Sequence, residues 1–213
     1  MKLSDNALRL YAVTDRSVLN GQSLYEAVEA ALEGGVTLVQ LREKELDNAA
    51  FLKEAIELTR LCHRYGVPLV VNDRLDVAMQ SGADGVHLGQ DDLPAAEARA
   101  LLGPDMIVGV TAKTVEQARL AEAAGADYLG SGAVFGSSTK LNARPMTMDT
   151  LRSITQAVSI PVAAIGGINR NNILQLAGTG IAGAAVVSGL FAAEDVRQEG
   201  RLLRRLIEQV CGQ

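Results

Sequence analysis

Asp73 and Asp92 carry the clearest chemistry in this chain. Each follows a short apolar run: Leu69–Val71 leads into Asn72-Asp73, and Gly85–Leu88 leads into Gly89-Gln90-Asp91-Asp92, with a helix-length segment ending at Ser81 between them. If the two runs are neighbouring parallel strands, both carboxylates leave the sheet at the same edge and converge. Such a pair suits Mg²⁺, which takes one or two carboxylates and completes its shell with water and phosphate oxygens. Asp92 reads as the ligand and Asp91 as its outer neighbour. Three cations, Arg42, Lys44 and Lys140, are the candidate catalytic groups. Acids and cations at one mouth fit a metal-bound diphosphate, whose charge they would share. Each group also admits a plainer role. Asp73 and Asp92 would serve as helix caps, residues 42–45 as a solvated charge run, Ser137-Ser138-Thr139 as a polar loop, and Gly166-Gly167 as a tight turn. His87 lies inside a strand and reads as a satisfied core residue rather than a base. With no histidine or cysteine at a nucleophile's position, phosphate and metal chemistry fits better than acyl transfer.

These residues need a scaffold that gathers them, and the spacing of apolar runs supplies one. Eight short runs fall near residues 8–13, 36–41, 68–71, 85–88, 106–110, 127–131, 161–165 and 183–187. Apolar residues at three- and four-residue spacing predict helices over 24–32, 49–65 and 115–124, and further helices over 147–157, 169–177 and 195–210. Asn169 and Asp195 are the expected N-caps of the last two. Several runs are apolar almost throughout, as parallel strands covered on both faces should be. The alternation predicts a single α/β domain over 1–213, a (β/α)₈ TIM barrel; an open doubly wound sheet is the alternative. In a barrel the active site lies at the carboxyl ends of the strands, with phosphate commonly held after strands 7 and 8. That face would carry Gln40–Lys44, Asn72-Asp73, Asp92, Thr111, Ser137–Lys140, Gly166-Gly167 and Val187-Ser188.

Bulk properties exclude other classes. The net charge of −5 argues against a broad nucleic-acid surface. No apolar run approaches the roughly 18–20 residues that span a bilayer, and the opening MKLSDNALRLYAVTD lacks an apolar signal core. Cys62 and Cys211 lie far apart, as in a protein with reduced thiols, and two histidines without paired cysteines argue against zinc. A cytoplasmic protein is expected, with no nucleic-acid or membrane partner; the sequence allows a homo-oligomer.

Taken together, Tyr11–Asp15, Val39–Lys44, Val71–Asp73, His87–Asp92, Gly109–Thr111, Gly130–Lys140 and Ile165–Ile168 resemble the thiamine phosphate synthase (thiamine-phosphate pyrophosphorylase) family, in order and at family-like spacing over about residues 9–190. The resemblance implies a transferase that joins 4-amino-2-methyl-5-hydroxymethylpyrimidine diphosphate to 4-methyl-5-(2-hydroxyethyl)thiazole phosphate. Thiamine phosphate forms and diphosphate is released. By position, it implies that Gln40, Leu41, Arg42, Glu43, Lys44, Asn72, Thr111 and Lys140 contact the pyrimidine diphosphate, that Asp73 and Asp92 bind Mg²⁺, and that Ser137, Ser138, Thr139, Gly167, Val187 and Ser188 hold the thiazole phosphate. It also implies a dissociative displacement: diphosphate leaves, the aminopyrimidine stabilises the resulting cation, and the thiazole nitrogen attacks. That nucleophile carries no proton, so no general base is required. The chain departs from the family pattern at Ala133, Gly136 and Ser137, at Thr111, where serine is common, and at Met146-Thr147-Met148. A thiazole tautomerase-like isomerase and a non-catalytic barrel that senses a phosphorylated ligand are the competing readings.

Overall fold

The computed structural model describes residue 3, residues 6–136 and residues 145–212. Ser137, Ser138, Thr139 and Lys140 lie outside the described residues. Eight parallel strands close a barrel in sequence order. They are β1 (Leu10–Val13), β2 (Leu38–Leu41), β3 (Leu69–Asn72), β4 (Gly85–Leu88), β5 (Ile107–Thr111), β6 (Tyr128–Gly132), β7 (Val162–Ile165) and β8 (Gly183–Val186). Closure is set by β1 against β8, where Tyr11 pairs with Ala185. Each strand sits inside the span expected from the apolar runs or within one residue of it, because a strand covered by helices outside and side chains inside has no polar face to blur the signal.

The outer layer comprises α1 (Leu24–Glu33), α2 (Asn48–Arg64), α3 (Leu75–Ser81), α4 (Ala95–Leu102), α5 (Val115–Ala123), α6 (Met148–Ala157), the single turn α7 (Ser188–Phe191) and α8 (Val196–Cys211). Local chemistry fixes several starts. Ser23 and Glu26 form a reciprocal capping box on α1, and Asp47, Thr114, Thr147 and Asp195 cap α2, α5, α6 and α8. The helix expected over 169–177 is a correction: only a 3₁₀ turn, Ile173–Leu176, forms there. The Asn172 side chain accepts the Asn169 N–H and the Asn169 side chain accepts the Asn171 N–H, both at 2.9 Å. Asn169 thus caps the turn, as a helix start requires, but the Asn172 side chain is tied back to Asn169 and Gly167 and its backbone, φ −124°, leaves the helical range. Among the described residues no helix is long and apolar enough to cross a membrane.

Two apolar clusters result. The larger packs helices onto the outside of the sheet, while the smaller fills the barrel with Tyr11, Val13, Leu38, Val70, Ile107, Tyr128, Ala163 and Ala185. The two tyrosines meet edge to face, ring centroids 5.8 Å apart at 81°. They plug the lumen beneath the carboxyl ends, so the site above has a solid floor.

Candidate active site

A cavity opens at the carboxyl ends of the strands. Gln40 and Arg42 from β2 and its loop, Asn72 from β3, His87 from β4, Thr111 and Lys113 from β5 and its loop, and Gly166, Gly167, Val187 and Ser188 after β7 and β8 all line it. Sequence-expected residues from five strands therefore reach one space. Tyr11, Asp15, His87 and Lys113 line it as well. Lys113 follows Thr111 by two positions at the end of β5, and that placement is the signal by which it could have been found.

Arg42 is held in several ways. Its guanidinium meets the Asp15 carboxylate at 3.0 Å, and its backbone N–H donates to the Thr14 hydroxyl at 2.9 Å. Burial works against the Asp15 charge, but hydrogen bonds from Ser17 and the Arg42 cation outweigh it and hold that carboxyl below its usual range. The ion pair therefore persists down to pH values below the ordinary Asp range and is lost only as pH falls through the lowered one.

The rest of the β2 loop does not line the enclosed space. Leu41 is fully buried against the helices and adds no side chain to the cavity. Glu43 turns inward: its side chain is 3% exposed and is ion-paired with Arg16, which also pairs with Glu54. The other Glu43 oxygen accepts the backbone N–H groups of Lys44 and Glu45 at 2.7 and 3.0 Å. The carboxylate therefore shapes the loop that presents Arg42. Lys44 is exposed and does not line the enclosed space.

Asp73 and Asp92 meet beside this cavity. Asp73 adopts a left-handed backbone, φ 62°, which aspartate tolerates better than most residues, while its N–H donates to the His87 carbonyl at 2.9 Å. Neither acid caps a helix: α3 starts behind Arg74 and α4 behind Pro94, with no side-chain cap at either. The Asp92 carboxylate accepts the Gly89 N–H at 2.6 Å. Desolvation and the adjoining Asp92 carboxylate push the Asp73 carboxyl up to about 6, against the opposing pull of Asn72 and Arg42. Two touching carboxylates with an arginine near by make a donor set suited to a hard divalent cation. Among the described residues no group of three or more His, Cys, Asp or Glu gathers. A cation here would draw its other ligands from water and substrate oxygens.

Across the mouth, Gly166 and Gly167 have φ of 105° and 66°. A Cβ on Gly166 would lie 2.5 Å from Ala133 Cα, and one on Gly167 2.8 Å from the Phe135 carbonyl oxygen. Only glycine fits this turn. The side-chain N–H groups of Asn169 and Asn172 hold the Gly167 carbonyl at 3.2 and 2.9 Å, so the two asparagines tether this turn.

The profile of the family described as "Thiamine monophosphate synthase" matches residues 10–190. The chain belongs to that family. Among thiamine monophosphate synthase relatives, the thiamine-phosphate synthase of Ruminiclostridium cellulolyticum is 49% identical over 194 residues, 91% of this chain and 92% of its own. That of Clostridium acetobutylicum is 44% identical over 201 residues, 94% and 95% of the two chains. The solved structure of thiamine phosphate pyrophosphorylase from Pyrococcus furiosus superposes with a TM-score of 0.89 at 40% identity, covering 97% of this chain and 98% of that one. Family membership thus extends over the strands that build the cavity.

Proposed function

We propose that this chain is a cytoplasmic, Mg²⁺-dependent transferase that joins 4-amino-2-methyl-5-hydroxymethylpyrimidine diphosphate and 4-methyl-5-(2-hydroxyethyl)thiazole phosphate to thiamine phosphate, releasing diphosphate. The observation that carries this reading is the division of the cavity into two unlike sides. One side has Arg42 and Asn72, with the Asp73–Asp92 pair beside it, and the other has the tethered Gly167 turn beside Val187 and Ser188. One substrate would place its diphosphate on the first side, and the other its monophosphate on the second. Asp73 and Asp92 would hold Mg²⁺, which when bound supplies charge neutralisation to the departing diphosphate.

The chain's own residues do the rest. Arg42, pre-set by Asp15 and Thr14, meets charge that grows on the leaving oxygens, where a fixed cation acts most strongly. Lys113 adds a second described cation to the cavity wall, and Lys44 and Lys140 are assigned to the same diphosphate. Ser137, Ser138 and Thr139 are assigned to the thiazole phosphate. Holding both reactants over the tyrosine floor converts a bimolecular displacement into a local one. The attacking thiazole nitrogen has no proton to lose, which agrees with a His87 whose two ring nitrogens are already hydrogen-bonded. Incubating purified protein with both substrates and Mg²⁺ should yield thiamine phosphate, and excess chelator should abolish it. Folded protein that forms no product with Mg²⁺ overturns the reading.

The placement of Glu43 yields a sharper expectation. Glu43→Gln should raise KM for the pyrimidine diphosphate about 10-fold, since a hydrogen bond to a charged group contributes about 1.5–3 kcal/mol, and should change KM for the thiazole phosphate less than 2-fold. Arg16→Ala should reproduce that pattern, because Glu43 acts through the loop. A carboxylate that touched substrate itself would leave Arg16→Ala close to wild type. Steady-state kinetics with each substrate varied in turn decides between them.

A further inference from the structure

Beneath the cavity, five side chains from five strands form one continuous hydrogen-bonded chain. Gln40 donates its amide N–H to the Tyr11 hydroxyl. The Tyr11 and Tyr128 hydroxyls meet at 2.8 Å. The Tyr128 hydroxyl lies 3.0 Å from His87 Nδ1, and His87 Nε2 lies 3.0 Å from the Thr111 hydroxyl. Gln40 and Thr111, the two ends, line the cavity together with Tyr11 and His87, whereas Tyr128 is fully buried and does not. The backbone leaves room for this chain. A Cβ on Gly109 would lie 2.3 Å from the Tyr128 hydroxyl, and one on Gly130 3.1 Å from His87 Cε1.

Proton counting gives the chain a direction. A phenol has one proton, so Tyr11, accepting from Gln40, donates to Tyr128; Tyr128 in turn donates to His87 Nδ1. His87 then carries its proton on Nε2 and donates to Thr111. The Thr111 proton is left for the cavity, as is the Gln40 carbonyl oxygen, which receives no hydrogen bond from the described residues. Turning the Gln40 amide over reverses every bond, so that Gln40 offers an N–H and Thr111 a lone pair. The two ends are opposite in kind in both senses.

We infer that Tyr11, Tyr128 and His87 are positioning residues that lock Gln40 and Thr111 into a matched donor–acceptor pair for the pyrimidine ring, which itself offers an amino donor and ring-nitrogen acceptors. Tyr128 acts on recognition without touching the substrate. This rests on the function proposed above.

The test is Tyr128→Phe in the full chain. It keeps the ring and removes the hydroxyl that links the two halves. KM for the pyrimidine diphosphate should rise about 10-fold. The inhibition constant of inorganic diphosphate and KM for the thiazole phosphate should each stay within 2-fold, a split that a merely structural lesion would not produce. Tyr11→Phe should match it. The double variant should cost no more than either single one, because a chain broken once is already broken. An unchanged pyrimidine KM, an equal loss for all three ligands, or additive losses in the double variant each overturn the inference. If Tyr128→Phe does not fold, Tyr11→Phe read against inorganic diphosphate decides by the same criteria. Wild-type protein that makes no thiamine phosphate would instead strike the function, a distinct result from active wild type with an indifferent Tyr128→Phe.

Discussion

Asp73→Asn and Asp92→Asn should each lower kcat/KM for thiamine phosphate formation by about 10²- to 10³-fold at fixed Mg²⁺, the range seen when one charge-stabilising group is withdrawn from a developing anion. Both substitutions preserve local geometry. Asparagine tolerates the left-handed backbone that Asp73 adopts at φ 62°, and its amide oxygen can still accept the Gly89 N–H that Asp92 holds. What is lost is one negative charge from the pair. In chelator the sign for stability is opposite. The two carboxylates repel each other, so deleting one charge should raise Tm by a few degrees. A more stable and less active variant is the signature of a cation site, whereas helix-capping aspartates would lose stability on substitution. Raising Mg²⁺ should restore part of the lost rate. Wild-type turnover with unaltered chelator sensitivity in both variants would remove the metal assignment.

The same two residues show what was legible in the sequence. Their convergence follows from two apolar runs of strand length with a short helix between, a local pattern that a parallel barrel turns into proximity. The strands were legible for the same reason, since residues covered on both faces are apolar with little exception. The region 169–177 was not, because its apolar spacing suits a helix while the Asn172 side chain is tied to Asn169 and to the Gly167 carbonyl outside the segment, a contact that spacing does not register. Glu43 reads as one more charge in a charged run, and only the fold brings Arg16 to it. The buried chain from Gln40 to Thr111 was hidden for a related reason: Tyr11 and Tyr128 look like ordinary strand aromatics, and their hydroxyls meet only across a closed lumen. Cross-barrel contacts have no sequence period. The signal for them lies in the small residues that make room.

Gly109→Ala is the strongest test of that reasoning. Gly109 sits in the middle of β5, where its neighbours in the sheet leave no turn or positive φ to explain a glycine. A Cβ there would lie 2.1 Å from Tyr128 Cζ and 2.3 Å from its hydroxyl oxygen. The ring cannot retreat: Tyr128 is fully buried, packs edge-on against Tyr11, and is hydrogen-bonded on both sides. Overpacking of this kind costs about 3 kcal/mol, which lowers Tm by roughly 6–12 °C in a chain of this size. Gly82→Ala provides the contrast. Gly82 ends α3 at φ 72° with nothing within 4 Å of a built Cβ, so its cost is backbone strain alone, about 1–2 kcal/mol. Calorimetry on the two variants should therefore place Gly109→Ala well below Gly82→Ala. In a Tyr128→Ala background, where the ring is gone, the Gly109→Ala penalty should shrink to less than half, because the two residues are coupled through one contact. Equal melting temperatures for the two glycine variants, or a penalty that survives the loss of the ring, would mean that Gly109 is not there to seat Tyr128. The floor of the site would then owe its shape to something other than the tyrosine pair.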